Sequence, residues 1–319
     1  MTARIVYGIG NVEELPHRCA LAIGNFDGVH LAHKSLIEVG RRWADAIKAP
    51  LVVLTFEPHP MTIVAPSRVP EALTPLPEKL RLLELAGADC IVVAKSEPAL
   101  MNLTAEEFVD QIVRQKFHPQ HIVEGPTFGF GRGRTGNPQI LTQLAAKFNC
   151  QVHIVDPVSV SLDGVDCIPV SSSIVRKLLT AGKVEQAATC LARPYALFGR
   201  VIRGAGRGRN LGFPTANINP VNQLVPGHGV YAGQATLKGE SYRCAISIGQ
   251  TPTFDGTRRQ IEAHLLDFHD DIYDQDIRVE FLRFLRPQQK FASAEALMDQ
   301  LRMDVQNARQ EIPMKPSTA

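Results

Sequence analysis

The sequence predicts an α/β protein in two parts: a Rossmann-like domain on a parallel sheet, then an antiparallel β-barrel with a terminal helix. Three observations carry this. At 319 residues the chain has the length of about two domains. Short apolar runs alternate with helical periodicity through the first 190 residues. After Arg193-Pro194 the rhythm changes to strand-like runs separated by turn residues, with helical spacing only at the end. The division is expected at residue 187, giving domains 1–187 and 188–319.

In the first part, Cys19–Ile23 and Leu51–Phe56 read as strands around a helix from Leu31 to about Ala46. A helix through Lys79, Leu82, Leu83 and Leu85, ended by Gly87, leads to a third strand, Ile91–Ala94. Thr104 and Glu107 form a capping box for a helix carrying Phe108, Ile112 and Val113. His121–Glu124 is a fourth strand and Ile140–Phe148 a further helix. This βαβα order implies a parallel sheet with helices on both faces and ligands at the carboxyl ends of the strands. Six of the 22 prolines lie between Pro58 and Pro77, a stretch expected to be a loop or lid over the site. In the second part, Val230–Leu237, Tyr242–Ile248, Ile261–Phe268 and Ile277–Phe284 read as strands, with turns at Lys238-Gly239 and Asp255-Gly256. Leu297, Leu301 and Val305 line one stripe of the last helix.

Composition narrows the function classes. With 45% hydrophobic and 21% charged residues the chain is neither disordered, collagen-like nor a coiled coil. The longest apolar stretch, around Leu51 to Phe56, is far short of the ~20 residues that span a membrane, and the N-terminus carries no apolar core of a secretion signal. A cytoplasmic location is expected, with no membrane association. Lys+Arg 34 against Asp+Glu 32 is too balanced to advertise nucleic acid as a partner. One local cluster, Arg200, Arg203, Arg207 and Arg209 among glycines, can hold a polyphosphate or be a solvated loop. The six cysteines are scattered with no CxxC pair, as in a chain of reduced thiols without a cysteine metal site.

Five segments carry chemistry. Gly24-Asn25-Phe26-Asp27-Gly28-Val29-His30-Leu31-Ala32-His33 follows the first strand and opens the first helix. Its glycines and the helix N-terminus can receive a phosphate, and His30 and His33 share a face from which both can stabilise developing phosphoryl charge. Ser171-Ser172-Ser173 followed by Arg176 and Lys177 opens another helix and can bind a second part of the same anion, although serine N-caps are ordinary. Gly131-Arg132-Gly133-Arg134-Thr135-Gly136 fits G-x-G-x-x-G formally, but it follows no first strand and is read as a basic substrate loop. In Gly212-Phe213-Pro214-Thr215-Ala216-Asn217, Thr215 and Asn217 offer two hard oxygens on one face of an extended segment, suited to Mg²⁺. Glu262 shares a strand face with His264 and Leu266: facing into a closed barrel it would be a general base, facing out a surface residue.

Taken in order, these strings resemble the prokaryotic bifunctional riboflavin kinase/FAD synthetase (FMN adenylyltransferase) family over nearly the whole chain. The resemblance rests on GNFDGVHLAH, Thr55-Phe56-Glu57-Pro58-His59-Pro60, the loop Phe130–Asn137, SSSIVR, GRNLGFPTANI, Gly229-Val230-Tyr231-Ala232, Thr251-Pro252-Thr253-Phe254 and IEAHLLDF. It implies an N-terminal nucleotidyltransferase domain and a C-terminal flavokinase-like barrel. In the barrel, Glu262 would take the proton of the riboflavin 5′-hydroxyl that attacks the γ-phosphate of ATP. Thr215 and Asn217 would hold Mg²⁺, and Gly204, Arg207, Gly212, Pro214 and Thr215 would bind the nucleotide. In the first domain FMN would attack the α-phosphate of a second ATP, giving FAD and pyrophosphate. Gly24, Asn25, Phe26, Asp27, His30, His33, Ser171, Ser172 and Arg176 would form that ATP site, with His30 and His33 catalytic, and Phe130, Arg132 and Asn137 would bind the flavin. No protein partner is implied. Ala32 stands where the family has glycine, Thr127 where it has aspartate, and Ile272-Tyr273-Asp274 where it has Leu-Tyr-Gly. A kinase with an impaired or altered adenylyltransferase, or a flavin- or RNA-binding module, are the alternatives.

Overall fold

The computed structural model describes residues 2–14, 18–204, 208, 212–253 and 256–312. Arg207, Arg209 and Asp255 lie outside the described residues. Contacts divide the chain into two units, Met1–Ser171 and Ser172–Ala319.

The first unit holds six parallel strands: β1 (Arg4–Tyr7), β2 (Cys19–Ile23), β3 (Leu51–Glu57), β4 (Cys90–Lys95), β5 (Pro119–Glu124) and β6 (Gln151–Ile154). Their order is β1-β4-β3-β2-β5-β6, so the chain reverses its direction of travel across the sheet between β2 and β5. That switch point is where a crevice opens at the carboxyl ends of the strands. Every residue of β2, CALAI, is buried, which suits the central strand of a sheet covered on both faces. The expected strands and the helices α1 (Leu31–Ala46), α2 (Leu76–Leu85) and α3 (Pro138–Ala146) are present. β1 and β6, four residues each, escaped the pattern because edge strands carry little burial signal.

Two local features differ from expectation. The capping box at Thr104 is formed, with Glu107 N–H donating to Thr104 Oγ1 (3.1 Å) and Thr104 N–H to Glu107 Oε2 (2.8 Å). The helix it starts continues as a π-helix over Phe108–Phe117, burying Phe108, Val109, Val113 and Phe117. A turn wider than an α-turn accommodates this spacing on one buried face. The Pro58–Pro77 stretch is not a free lid: it forms a short helix at Met61–Val64, a 3₁₀ turn at Pro66–Arg68, and a buried anchor at Leu73. A two-stranded hairpin, β7 (Ser159–Leu162) and β8 (Val165–Pro169), precedes the unit boundary. Asp163 and Gly164 at its turn both have positive φ (50° and 74°), as a two-residue hairpin turn requires.

The second unit begins with α4 (Ser172–Thr180) and α5 (Val184–Leu191). The expected boundary at residue 187 falls inside α5. These helices pack on each other, and α5 packs on barrel strands, so the contacts place both with the barrel. The barrel is closed in the order β10-β13-β12-β11-β14-β9, all neighbours antiparallel. Its strands are β9 (Tyr195–Ile202), β10 (Ala216–Pro220), β11 (Gly229–Leu237), β12 (Glu240–Thr253), β13 (Gly256–Leu265) and β14 (Asp276–Arg286). On β13 the buried residues Ile261, Ala263 and Leu265 fill the interior, and Glu262 and His264 therefore point to the outer face. The C-terminal helix α6 (Ala294–Glu311) lies over that outer face, where Ala308 and Ile312 join Ala232 and Leu266 in one apolar cluster. Ser293 caps it, accepting from the Ala296 N–H. A bidentate ion pair from Arg286 to Asp304 (2.8 and 2.7 Å) pins it to β14.

Candidate active sites

In the first unit, the segment between β2 and α1 carries Phe26, Gly28 and Val29 at positive φ (49°, 87° and 38°). For a ring and a β-branched side chain that conformation costs about 1–3 kcal/mol each, and surrounding structure must hold it. Asp27 does so. Its buried carboxylate accepts from the Leu73 N–H (2.9 and 3.0 Å), the Thr74 N–H (3.1 Å) and the Thr74 hydroxyl (3.3 Å), which itself accepts from the Gly28 N–H (3.1 Å). The carboxylate expected in the ATP pocket is thus engaged in tying the turn to the proline-rich stretch.

This turn delivers His30 to the N-cap of α1, where its Nδ1 accepts from the His33 N–H (3.4 Å). The two rings stack with centroids 3.6 Å apart, and Phe26 meets His33 edge-on at 5.1 Å. Both histidines therefore sit at a helix N-terminus at the switch point, where backbone N–H groups and the helix dipole favour an anion. Asn25 Nδ2 lies 3.2 Å from His59 Nε2, and Asn25 O accepts from the Thr55 hydroxyl (3.2 Å), which joins the TFEPHP string to the same site.

Two groups here were not singled out by sequence. Glu124, at the carboxyl end of β5, is buried and accepts from the Ile23 N–H (2.7 Å) across the switch point. Burial pushes its carboxyl well above the usual carboxylate range, against the opposing pull of that N–H. Lys79 is buried on α2 and donates to Phe56 O (3.2 Å) and Glu57 Oε2 (3.4 Å), holding the end of β3. Lys79 stands among the charges Glu78 and Arg81 and Glu124 ends its apolar run just before Gly125, so in sequence both look like surface residues.

The expected flavin loop is divided. The Phe130 ring is buried between Phe108 and Phe128 (centroids 5.8 and 5.4 Å), so it belongs to the core. A Cβ on Gly136 would lie 2.6 Å from that ring, which is why glycine stands there. Arg132 is exposed, Arg134 folds back onto Thr127 O (3.2 Å), and Asn137 caps α3 by accepting from the Ile140 N–H (2.9 Å). Ser171 ends the first unit, and Ser172 and Arg176 belong to the first two turns of α4 in the second.

In the barrel the expected residues converge. Asn217 on β10 pairs directly with Glu262 on β13, and Ser247 on β12 pairs with Glu262 from the other side. Gln260 Nε2 donates to both Asn217 Oδ1 (3.0 Å) and Glu262 Oε1 (2.8 Å). Gly204 faces the same amide: a Cβ there would lie 2.1 Å from Asn217 Nδ2. The His264 Nδ1–H donates to Pro214 O (2.7 Å), fastening the Gly212–Asn217 segment to β13. A cavity of about 300 Å³ opens between this outer face and α6, lined by Glu262 and Ser247 on one side and Leu297, Leu301 and Val305 on the other. A second cavity of about 410 Å³, lined by Val201, His269 and Tyr273, lies beside it, and Thr215 borders both. The Arg203 guanidinium lies over the Tyr273 ring, 5.2 Å from its centroid. Glu262 is thus neither in the barrel interior nor on an open surface: it is on the outer face, roofed by a helix.

Comparison with known proteins agrees with this division. The family described as FAD synthetase matches residues 12–168 and the family described as riboflavin kinase matches 191–312. The chain is 36% identical to the bifunctional riboflavin kinase/FMN adenylyltransferase of Haemophilus influenzae, over 96% of this chain and 98% of that one. It is 33% identical to the Escherichia coli protein of the same name, over 96% and 97% of the two chains. Among solved structures it resembles one described as a macrolide-efflux protein from Streptococcus pneumoniae, at 28% identity and a TM-score of 0.85 over 96% and 98% of the chains. Among the described residues here, no helix is long and apolar enough to cross a membrane. Matched end to end by two-domain relatives, with each half fitting its own family, the chain belongs to the bifunctional riboflavin kinase/FMN adenylyltransferase family.

Proposed function

We propose that the barrel phosphorylates riboflavin to FMN at the outer face of β13, and that the first unit adenylylates FMN to FAD at the β2–β5 switch point. What supports the first assignment most is the position of Thr215 between two cavities, so that a donor and an acceptor can meet at one hydroxyl. Riboflavin lies with its rings against Leu297, Leu301 and Val305, and its ribityl 5′-hydroxyl at Glu262, which accepts the proton as the oxygen attacks the γ-phosphate. ATP enters from the side of Val201 and Tyr273. The oxygens present suit Mg²⁺: Thr215 and Asn217 supply two neutral hard donors, and that ion usually takes few protein ligands beside phosphate and water. Bound with ATP, it would neutralise charge on the transferred phosphoryl group. Gly204 and Gln260 keep the Asn217 amide in one orientation.

In the first unit, ATP binds along the Gly24–His33 segment with its phosphates at the N-terminus of α1. His30 and His33 stabilise the charge that builds as the FMN phosphate attacks the α-phosphate. Ser171 binds the departing pyrophosphate. Asp27 acts by holding the turn, Arg132 by contacting the flavin, and Phe130 and Asn137 by shaping the loop and the start of α3. A chromatographic time course with riboflavin, ATP and Mg²⁺ tests both halves. FMN that rises and then converts to FAD is expected. FMN without FAD means that the adenylyltransferase is impaired, and absence of any flavin product overturns the proposal.

A further inference from the structure

Gln260 takes no part in the proposed chemistry itself, yet its one side-chain nitrogen touches the two groups on which the kinase reading depends. We propose that Gln260 is a positioning residue for riboflavin phosphorylation, holding the general base and the metal-ligand amide in fixed register. This rests on the reading of Glu262 as the base and Asn217 as a ligand.

The argument is one of donors and acceptors. A glutamine amide nitrogen carries two protons, and here one goes to Glu262 Oε1 (2.8 Å) and the other to Asn217 Oδ1 (3.0 Å). If Asn217 flipped, its own NH₂ would face the Gln260 NH₂, donor against donor, so Gln260 fixes which end of that amide is the oxygen. The opposite end is fixed by shape, because the Nδ2 side lies against Gly204. Strand geometry makes the arrangement stiff. Gln260 and Glu262 are two apart on one face of β13, and Asn217 is the direct cross-strand partner of Glu262. Base and ligand are thus coupled by a bridge as well as by the ladder, and neither rotates independently. Positioning of this kind matters in phosphoryl transfer, where catalysis is largely geometry and charge placement.

Gln260→Met keeps the length and removes both donors. FMN formation should fall about tenfold or more in kcat, with the Kd for riboflavin, read from quenching of its fluorescence, within about twofold of the parent. In calorimetry, the affinity for ADP with Mg²⁺ should fall severalfold while that for ADP alone stays the same. Gln260→Glu, which faces both acceptors with a further oxygen, should lose at least as much and serves if the methionine variant lowers the melting temperature. FAD formation from FMN by the same preparations reports on the integrity of the rest of the chain. An unchanged kcat and unchanged Mg²⁺-dependent affinity in both variants would overturn the inference, as would equal losses of ADP affinity with and without Mg²⁺. Glu262→Gln in parallel separates the two levels: if it still phosphorylates riboflavin, the reading of the base has failed; if it is inactive and Gln260→Met is normal, only the bridge has failed.

Discussion

Replacing Asp27 with alanine separates the anchoring role of this carboxylate from a direct one in ATP binding. The variant removes the acceptor of two backbone N–H groups and one hydroxyl, all in buried surroundings. Each buried donor left unpaired costs about 1–3 kcal/mol. Two such donors, with partial relief as the Thr74 hydroxyl turns elsewhere, give about 3–4 kcal/mol. At a urea m-value of about 2.5 kcal/mol/M, within the usual range, the midpoint should fall by about 1.5 M. The assay is built in, because Trp43 is the only tryptophan and lies on α1 of the first unit. Its fluorescence follows that unit alone. Asp27→Asn, which keeps one acceptor oxygen, should lose about half as much. FAD formation should drop in both variants while FMN formation stays at the parent rate. If Asp27→Ala unfolds within about 0.3 M of the parent, the carboxylate is not the anchor described, and a direct role toward ATP becomes the better account of any activity lost.

Four further outcomes are expected. Glu262→Gln should reduce FMN formation by about 10²–10⁴-fold, the usual contribution of a general base, and leave FAD formation from FMN intact; loss of both activities would refute the two-site assignment. His33→Ala should give the reverse pattern, read from the same two assays. Ala32→Gly should speed FAD formation if the extra methyl crowds a bound phosphate, and an unchanged rate would mean that the turn has adapted to it. Burial holds the imidazoles of His121 and His153 below their ordinary range, and for His153 the neighbouring His121 adds to it. The folded state then favours the neutral rings more than the unfolded chain does. Stability is therefore full at pH 7.5 and falls as pH drops through about 6.5, the unfolded imidazole value. Trp43, which stacks on both rings, should report this as a lower urea midpoint at pH 5.5, and a flat midpoint would contradict it.

What the sequence disclosed, and what it hid, follows from how each signal arises. The central strands and α1 were legible because burial on two faces, or one stripe, imposes a period on neighbouring residues. Edge strands β1 and β6 and the hairpin β7–β8 impose almost none. In the site, Glu262 and Asn217 could be singled out by residue type, but their pairing is a property of the barrel register, since they are far apart in the chain. Gln260 shows the same limit: an amide two residues before an acid is unremarkable until the neighbouring strand β10 brings Asn217 to it. The order of the motifs pointed to the family; it could not tell that Asp27 is an anchor or that Phe130 is core, because both roles are fulfilled by partners far away in sequence.

The cavity beside Glu262 lies outside the barrel, between its wall and α6, and this separates two kinds of evolutionary freedom. Residues that decide whether the barrel closes face inward, as Ile261 and Ala263 do, while the apolar roof beside Glu262 is carried by a helix that contributes nothing to the ladder. Leu297 and Leu301 can therefore change in size without disturbing one strand-to-strand hydrogen bond. Substrate scope is adjustable at the roof while the floor stays fixed, so selection for flavin analogues with larger ring substituents should gather its mutations in α6.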